Sequence, residues 1–439
     1  MRERLSTDRS EAVFDDYKKA YSPGQARTEA SRCLFCHDAP CIAACPTEIN
    51  IPQFIRKIAT GNLTGSARTI FDANILGMSC ARVCPVEVLC VGDCVYNHMD
   101  VPPIQIGKLQ RYATDLAFER GQRFAVAGPE SGKSVALVGA GPASLAAAHE
   151  LRRLGHACTI YEKRTLPGGL NTTGVAPYKM KSERGLDEVE WVLGIGGIEL
   201  KTGVAVGEED SFEDLEERHD AVFLGMGLGP DTALSVPGED LDGVCGAVEF
   251  IEALKLGEVD LSKVKTCAVI GAGNTAVDVV RELLGLGASD VVMIYRGEES
   301  QMSGYAHEWQ VAMAKGARAM WSAQVSAFEG KERLLGMTVV NTDGQRQPIA
   351  GTETHLAVDL ALLAIGQSKL GAIVASLENV EVERGRIVTD EFGRTGRSGI
   401  FAGGDCRNGG KEVVNAVAEG KAAARAIDEF LRSEASCRI

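Results

Sequence analysis

The tripeptide Gly-Ala-Gly stands at Gly139–Gly141 and again at Gly271–Gly273, each time between an apolar run and an amphipathic stretch. SVALVGAGPASLAAAHELRRLGHACTIYEK and TCAVIGAGNTAVDVVRELLGLGASDVVMIYR both read as strand, glycine turn, helix, strand. Such a unit needs glycine where the chain bends from strand to helix, and again where a phosphate approaches the backbone. The repetition predicts an α/β fold with two Rossmann-like units rather than a short-period solenoid. VDLALLAIG, SGIFAGGDC and the Ala-rich helix VVNAVAEGKAAARAIDEFL follow the second unit. The expected organisation is one domain inserted into another: 134–240 with 356–432 as a discontinuous domain, and 241–355 as the insert. AVAGPESGKS is a linker, and residues 1–125 ahead of it form a separate all-α region. There IPQFIRKIATGNLTGSARTIFDAN and KLQRYATDLAFERG carry apolar residues at helical spacing.

That helical region holds eight of the thirteen cysteines. They run Cys33-x2-Cys36-x4-Cys41-x3-Cys45-Pro46, then Cys80-x3-Cys84-Pro85 and Cys90-x3-Cys94. Short loops of this kind wrap a compact cluster, and Cys-Pro is typical of runs that serve two [4Fe–4S] clusters. Structural zinc is the alternative, although zinc ribbons usually show two Cys-x2-Cys pairs and only one is present. Disulfides are a weaker one in a reducing compartment. Simple counting gives two four-cysteine clusters that include Cys80.

In the first unit, Gly139 permits the turn and Gly141 lets a pyrophosphate reach the helix N-terminus at Pro142, Ala143 and Ser144. Ser144 replaces the usual third small residue. Glu162, with Lys163 beside it, ends the second strand where an acid accepts from a ribose hydroxyl. Gly168-Gly169-Leu170 and Gly403-Gly404-Asp405 add two further approaches and point to FAD, whose ribityl chain an Asp in the latter place would hold. In the second unit Gly271, Gly273, Asn274 and Thr275 form the nicotinamide-nucleotide turn. Arg296 ends its second strand and can meet an adenine, a pyrophosphate or a 2′-phosphate. Glu298 and Glu299 follow, and no second basic residue stands near in sequence. That charge placement favours NADH, with NADPH possible. Asp278, one helical turn on, reads equally as part of the nucleotide site or as a packing or capping residue.

A net charge of −14 argues against a general nucleic-acid or anionic-membrane surface. No apolar run approaches the ~20 residues of a membrane span. The charged start MRERLSTDRSEAVFDDY has no signal-peptide core, so a cytoplasmic protein is expected.

RCLFCHDAPCIAACPT, GMSCARVCPVEVLCVGDC, IQIGKLQRYATD, GAGPAS, GGL and GGD together resemble the flavin and iron–sulfur half of dihydropyrimidine dehydrogenase, over nearly the whole chain. In bacteria that half is a separate electron-input subunit. The glutamate synthase small subunit and the large subunit of ferredoxin-dependent transhydrogenases are similar. Cys84-x5-Cys90 favours the dihydropyrimidine and transhydrogenase branches, and DAPC leans to the first. The resemblance implies one cluster on Cys33, Cys36, Cys41 and Cys94. It implies a second on Cys45, Cys84, Cys90 and Gln110, with Cys80 a spare thiol. It further implies electron flow from NADH through FAD and two [4Fe–4S] clusters. Since no FMN barrel is visible, a partner FMN/iron–sulfur subunit that reduces uracil or thymine is expected, in a hetero-oligomer. No side chain is assigned a catalytic proton transfer. NTTGVAPYKMKSE departs from the family's flavin-lining stretch, and leaves Lys179 either at the flavin or on the surface. The competing readings are a glutamate synthase-like or transhydrogenase-like input chain, and a zinc-stabilised nucleotide-binding protein without turnover.

Overall fold

The computed structural model describes residues 1–207, 211–374 and 377–437. The N-terminal region is helical. The long apolar stretch seen in sequence splits into Ile51–Ala59 and Leu63–Ala73. Gly61 breaks it at φ +83°, and Asn62 restarts the chain by accepting from the Gly65 N–H at 2.9 Å. These helices, with Pro23–Ser31, Gly77–Val83 and Ile106–Glu119, enclose a core in which Phe54, Ile55, Ile106 and Leu109 surround the cysteines.

Strands β1 (Ser134–Val138), β2 (Ala157–Glu162), β3 (Ile198–Thr202) and β4 (Ala221–Leu224) build a parallel sheet. Four of the five β1 residues are buried, as expected of a parallel strand covered on both faces. Strands β5 (Val244–Gly246), β6 (Thr266–Ile270), β7 (Asp290–Tyr295) and β8 (Arg318–Trp321) belong to a second parallel sheet. β9 (Ala323–Gly330), β10 (Leu334–Asn341) and β11 (Thr354–Ala357) make an antiparallel sheet beside it.

The return expected at 356 comes later. β12 (Leu360–Leu363) pairs with β5 and β6, so VDLALLAIG lies in the second sheet, in order β5-β12-β6-β7-β8. An all-apolar strand fits either sheet, so its sequence could not say which. After the short pair β13 (Val382–Glu383) and β14 (Arg386–Ile387), β15 (Ile400–Ala402) completes the first sheet as β15-β4-β1-β2-β3. The Val413–Cys437 helix then packs on the Pro142–Arg153 helix. The contact is close: a Cβ at Gly420 would lie 2.1 Å from the Ala143 carbonyl oxygen. Among the described residues no helix is long and apolar enough to cross a membrane.

Candidate functional site

β1 delivers the chain to Gly139 at φ +90°, where a Cβ would sit 2.7 Å from the Gly225 carbonyl oxygen. Only glycine fits there. Gly141 caps the Pro142–Arg153 helix, and a Cβ on it would meet nothing within 4 Å. Gly169, at φ +55°, lies against Gly141, its virtual Cβ 3.0 Å from the Gly141 Cα. Two bare backbone segments therefore face the same space. Glu162 is buried and locks the turn: Oε2 accepts the Ala140 N–H and Oε1 accepts the Arg164 N–H, both at 2.8 Å. Each oxygen keeps a lone pair for a ribose hydroxyl. Gly404, at φ +77°, donates to Glu419 Oε2 at 2.7 Å and aims Asp405 at the turn. Burial pushes the Asp405 carboxyl up to about 6.

Gly139, Gly141, Pro142, Ala143, Glu162, Lys163, Gly169, Leu170, Gly404 and Asp405 all line one cavity of about 1090 Å³. Lys163 is exposed at its edge. Ser144 is not in the wall. It is fully buried behind the turn, with its Oγ in the position a Gly225 Cβ would need. Asn171 also lines the cavity; its Nδ2 donates to Ser79 Oγ at 2.9 Å, while its buried Oδ1 has no protein partner. Open glycines, a buried acid and an unsatisfied acceptor fit a large polar cofactor such as FAD.

The second turn opens onto the same cavity through Asn274, Thr275, Asp278 and Tyr305. Gly271 is held at φ +126° under the Ala364 carbonyl, and Gly273 caps the Asn274–Gly285 helix. Asn274 Oδ1 accepts the Tyr305 N–H at 3.0 Å, which draws the following loop over the turn. Arg296 is exposed and lies outside the cavity wall. A basic residue remote in sequence packs against its chain neighbour Tyr295. Arg346, from the β10–β11 connection, lies over the Tyr295 ring at 5.6 Å and donates to Gln301 Oε1 at 3.2 Å. Fifty residues separate the two arginines in sequence, and the antiparallel sheet closes that gap.

Lys179 is a half-buried bridge, not an exposed surface lysine. Its Nζ meets Asp278 Oδ1 and Glu308 Oε2, each at 2.9 Å, and it lines the cavity. Burial opposes the charge, but Asp278 and Glu308 outweigh it and hold the ammonium well above the usual lysine range. Asp278 also accepts from the Tyr178 hydroxyl, so it is an ion-pair partner rather than a cap. Tyr305 adds a second bridge, donating to Glu412 at 2.8 Å.

Cys33, Cys36, Cys41 and Cys94 wall a small second cavity with Ile55 and Ile106. Burial, then the Cys33, Cys94 and Cys36 thiols, push Cys41 up to about 12. Cys45, Cys84 and Cys90 are buried together, and Cys90 is raised well above the thiol range by burial and then by Cys84 and Cys45. Gln110 Nε2 donates to the Gly77 carbonyl at 2.8 Å, which leaves the amide oxygen as the end available to a metal. Cys80 is buried, and its thiol hydrogen-bonds that of Cys84. Among the described residues no three His, Cys, Asp or Glu side chains converge on a single-ion site. Thiols set around a cavity suit a cage of iron and sulfide better than one zinc. Val83 and Pro85, which flank Cys84, lie in the wall of the large cavity.

Sequence reasoning missed Glu188, Tyr305, Glu412 and Arg346. The first three act across domains and Arg346 across the inserted unit, and no local motif marks any of them. Glu188 is fully buried on the Ser182–Leu193 helix and accepts from the Met78 and Ser79 N–H groups at 2.9 and 3.1 Å.

A family model described as pyridine nucleotide-disulphide oxidoreductase matches residues 133–420. A model described as dihydropyrimidine dehydrogenase domain II, 4Fe-4S cluster, matches residues 9–122. The chain is 34% identical to the NAD-dependent dihydropyrimidine dehydrogenase subunit PreT of Escherichia coli K12, over 97% of this chain and 98% of that one. It is 33% identical to the glutamate synthase [NADPH] small chain of the same organism, over 95% and 94%. Mycobacterium tuberculosis FprA in complex with NADPH has the same fold over 71% of this chain and 86% of its own, with a TM-score of 0.58 at 20% identity.

Proposed function

Because this chain belongs to the pyridine nucleotide-disulphide oxidoreductase family and carries a 4Fe-4S domain of the dihydropyrimidine dehydrogenase type, we propose that it passes electrons from NADH through FAD and two [4Fe–4S] clusters to a partner FMN subunit that reduces uracil or thymine. That it is an NAD(P)H-dependent oxidoreductase follows from its family and its relatives. The observation that supports the finer reading is the single cavity shared by the first glycine turn, by Asn274 and Thr275 just after the second, and by the Val83–Pro85 edge of the cysteine block.

Bound FAD would supply the two-electron acceptance and one-electron release that no side chain offers. The protein's part is placement. Gly141, Gly169 and the Pro142–Arg153 helix N-terminus receive the pyrophosphate, Glu162 the ribose and Asp405 the ribityl chain. Asn274 and Thr275 hold the nicotinamide nucleotide against the same space. Lys179 fixes the distance between the two domains through Asp278 and Glu308. Cys33, Cys36, Cys41 and Cys94 would hold one cluster; Cys45, Cys84, Cys90 and Gln110 the other.

The test is an assay of the purified chain. Dye reduction by NADH is expected, with about eight iron and eight acid-labile sulfide per chain. Uracil reduction should require an added FMN subunit. About four iron would retire the two-cluster reading, and uracil reduction by the chain alone would retire the partner.

A second reading has support from Arg346, packed on Tyr295 next to Arg296 in the chain, and from the nearly equal identity to a glutamate synthase small chain: the same input chain using NADPH and serving a different acceptor. Comparing kcat/KM for the two nucleotides and identifying the co-purifying subunit separates the two.

A further inference from the structure

The N-terminal strap has no part in the chemistry above, yet it touches all three regions. The Ser10 N–H donates to the Gly257 carbonyl at 2.9 Å, and Ser10 Oγ accepts from the Val259 N–H at 2.8 Å. Phe14 is buried in the core of the nucleotide domain. The Tyr17 N–H donates to the Tyr178 carbonyl at 2.7 Å. Arg111 binds Asp16 at 2.5 Å and also donates to the Lys18 carbonyl. The strap thus delivers Lys18 to a fixed place. Its half-buried ammonium donates to the Cys84 carbonyl at 2.6 Å, and among the described residues no carboxylate pairs with it. Burial opposes its charge most; Glu87 and Glu308 favour the charge from beyond ion-pair distance, and Lys179 opposes it.

Cys84 belongs to the proposed second ligand set and sits between the two cavity-lining residues Val83 and Pro85. We propose that Lys18 is a positioning charge that raises the reduction potential of the second cluster, making it the acceptor that faces the flavin. The inference rests on the cluster assignment above. One electron enters that cluster from the flavin, which loses one, having been reduced by the nicotinamide nucleotide. The added negative charge is stabilised by a cation in poorly screened surroundings. Among the described residues no cation donates to the backbone of the first set as Lys18 does to Cys84. Arg56, the cation bearing on Cys33, is exposed and screened by water.

The test is a potentiometric titration of the holoprotein followed by electron paramagnetic resonance, for wild type, Lys18→Met and Lys18→Arg. In K18M one cluster should move to a more negative potential while the other stays. K18R should leave both near wild type, with iron and sulfide content unchanged in each. K18Q takes the place of K18M if that variant does not assemble. Unchanged potentials in the uncharged variant, or a K18R shift as large as that of K18M, overturns the proposal. Wild-type protein without acid-labile sulfide would instead remove the cluster assignment, and the inference with it.

Discussion

The two glycine turns share the GAG sequence and the same strand-to-helix bend, but their second strands end differently. At the first, Glu162 turns inward, buried, and ties the Ala140 and Arg164 N–H groups. At the second, Arg296 is exposed to solvent, and Arg346 packs on the preceding Tyr295. The Val413–Cys437 helix covers the first turn, its Gly420 pressed on Ala143. Over the second lies the short stretch held by the Asn274–Tyr305 bond. One motif thus serves two purposes. The first turn suits a cofactor that stays, and the second a ligand that must come and go.

Breaking the bridge between the units should have the largest effect. Lys179→Met leaves buried Glu308 and half-buried Asp278 without their cation, and a loss of about 3–4 kcal/mol is expected in chemical denaturation. K179M/E308Q should recover part of it. If K179M matched wild type, the bridge would not hold the units together.

Glu162→Ala leaves two N–H groups without an acceptor. A cost of about 3 kcal/mol is expected, with loss of most bound flavin by absorbance. Arg296→Ala, at the equivalent strand end, should leave flavin content unchanged. Equal flavin loss in both variants would erase the distinction between the two seats.

The first unit is also joined to the cysteine domain through Glu188, whose carboxyl burial raises to about 7 in spite of its hydrogen bonds to Ser79 and Met78. The folded protein therefore binds a proton more tightly than the unfolded chain. Stability from this group is full below the unfolded value of 4.5 and is lost as pH rises through about 7. Relative to Glu188→Gln, wild type should lose about 2 kcal/mol between pH 5 and 7 in urea titrations. A parallel pH dependence in the two proteins would contradict the assignment.

The smallest effect belongs to the second seat. Arg346→Ala should lower kcat/KM for NADPH about tenfold, near 1.4 kcal/mol, and that for NADH less than twofold. No change with either nucleotide would remove Arg346 from the site.

What could be read from the sequence was local. Gly139 and Gly271 announce themselves because a strand-to-helix bend admits little else, and the cysteine spacing carries its own chemistry. Lys179 was undecidable, since its partners stand about a hundred or more positions away at Asp278 and Glu308. Arg346 was hidden for the same reason. β12 was assigned to the wrong sheet because a uniformly apolar strand records burial, not which neighbour buries it. Ser144 was placed at the cofactor by its motif position, yet the helix turns its side chain towards Gly225.

The order of the chain has a consequence for biosynthesis. β15 and the Val413–Cys437 helix are the last parts of the first sheet's domain to be made, after the entire inserted unit. On the ribosome the nucleotide domain can close first. The earlier dinucleotide seat must meanwhile wait, half built, for Gly404, Asp405 and Gly420. Loading of the resident cofactor is therefore expected at the end of translation, and nascent chains stalled before Gly403 should retain none of it.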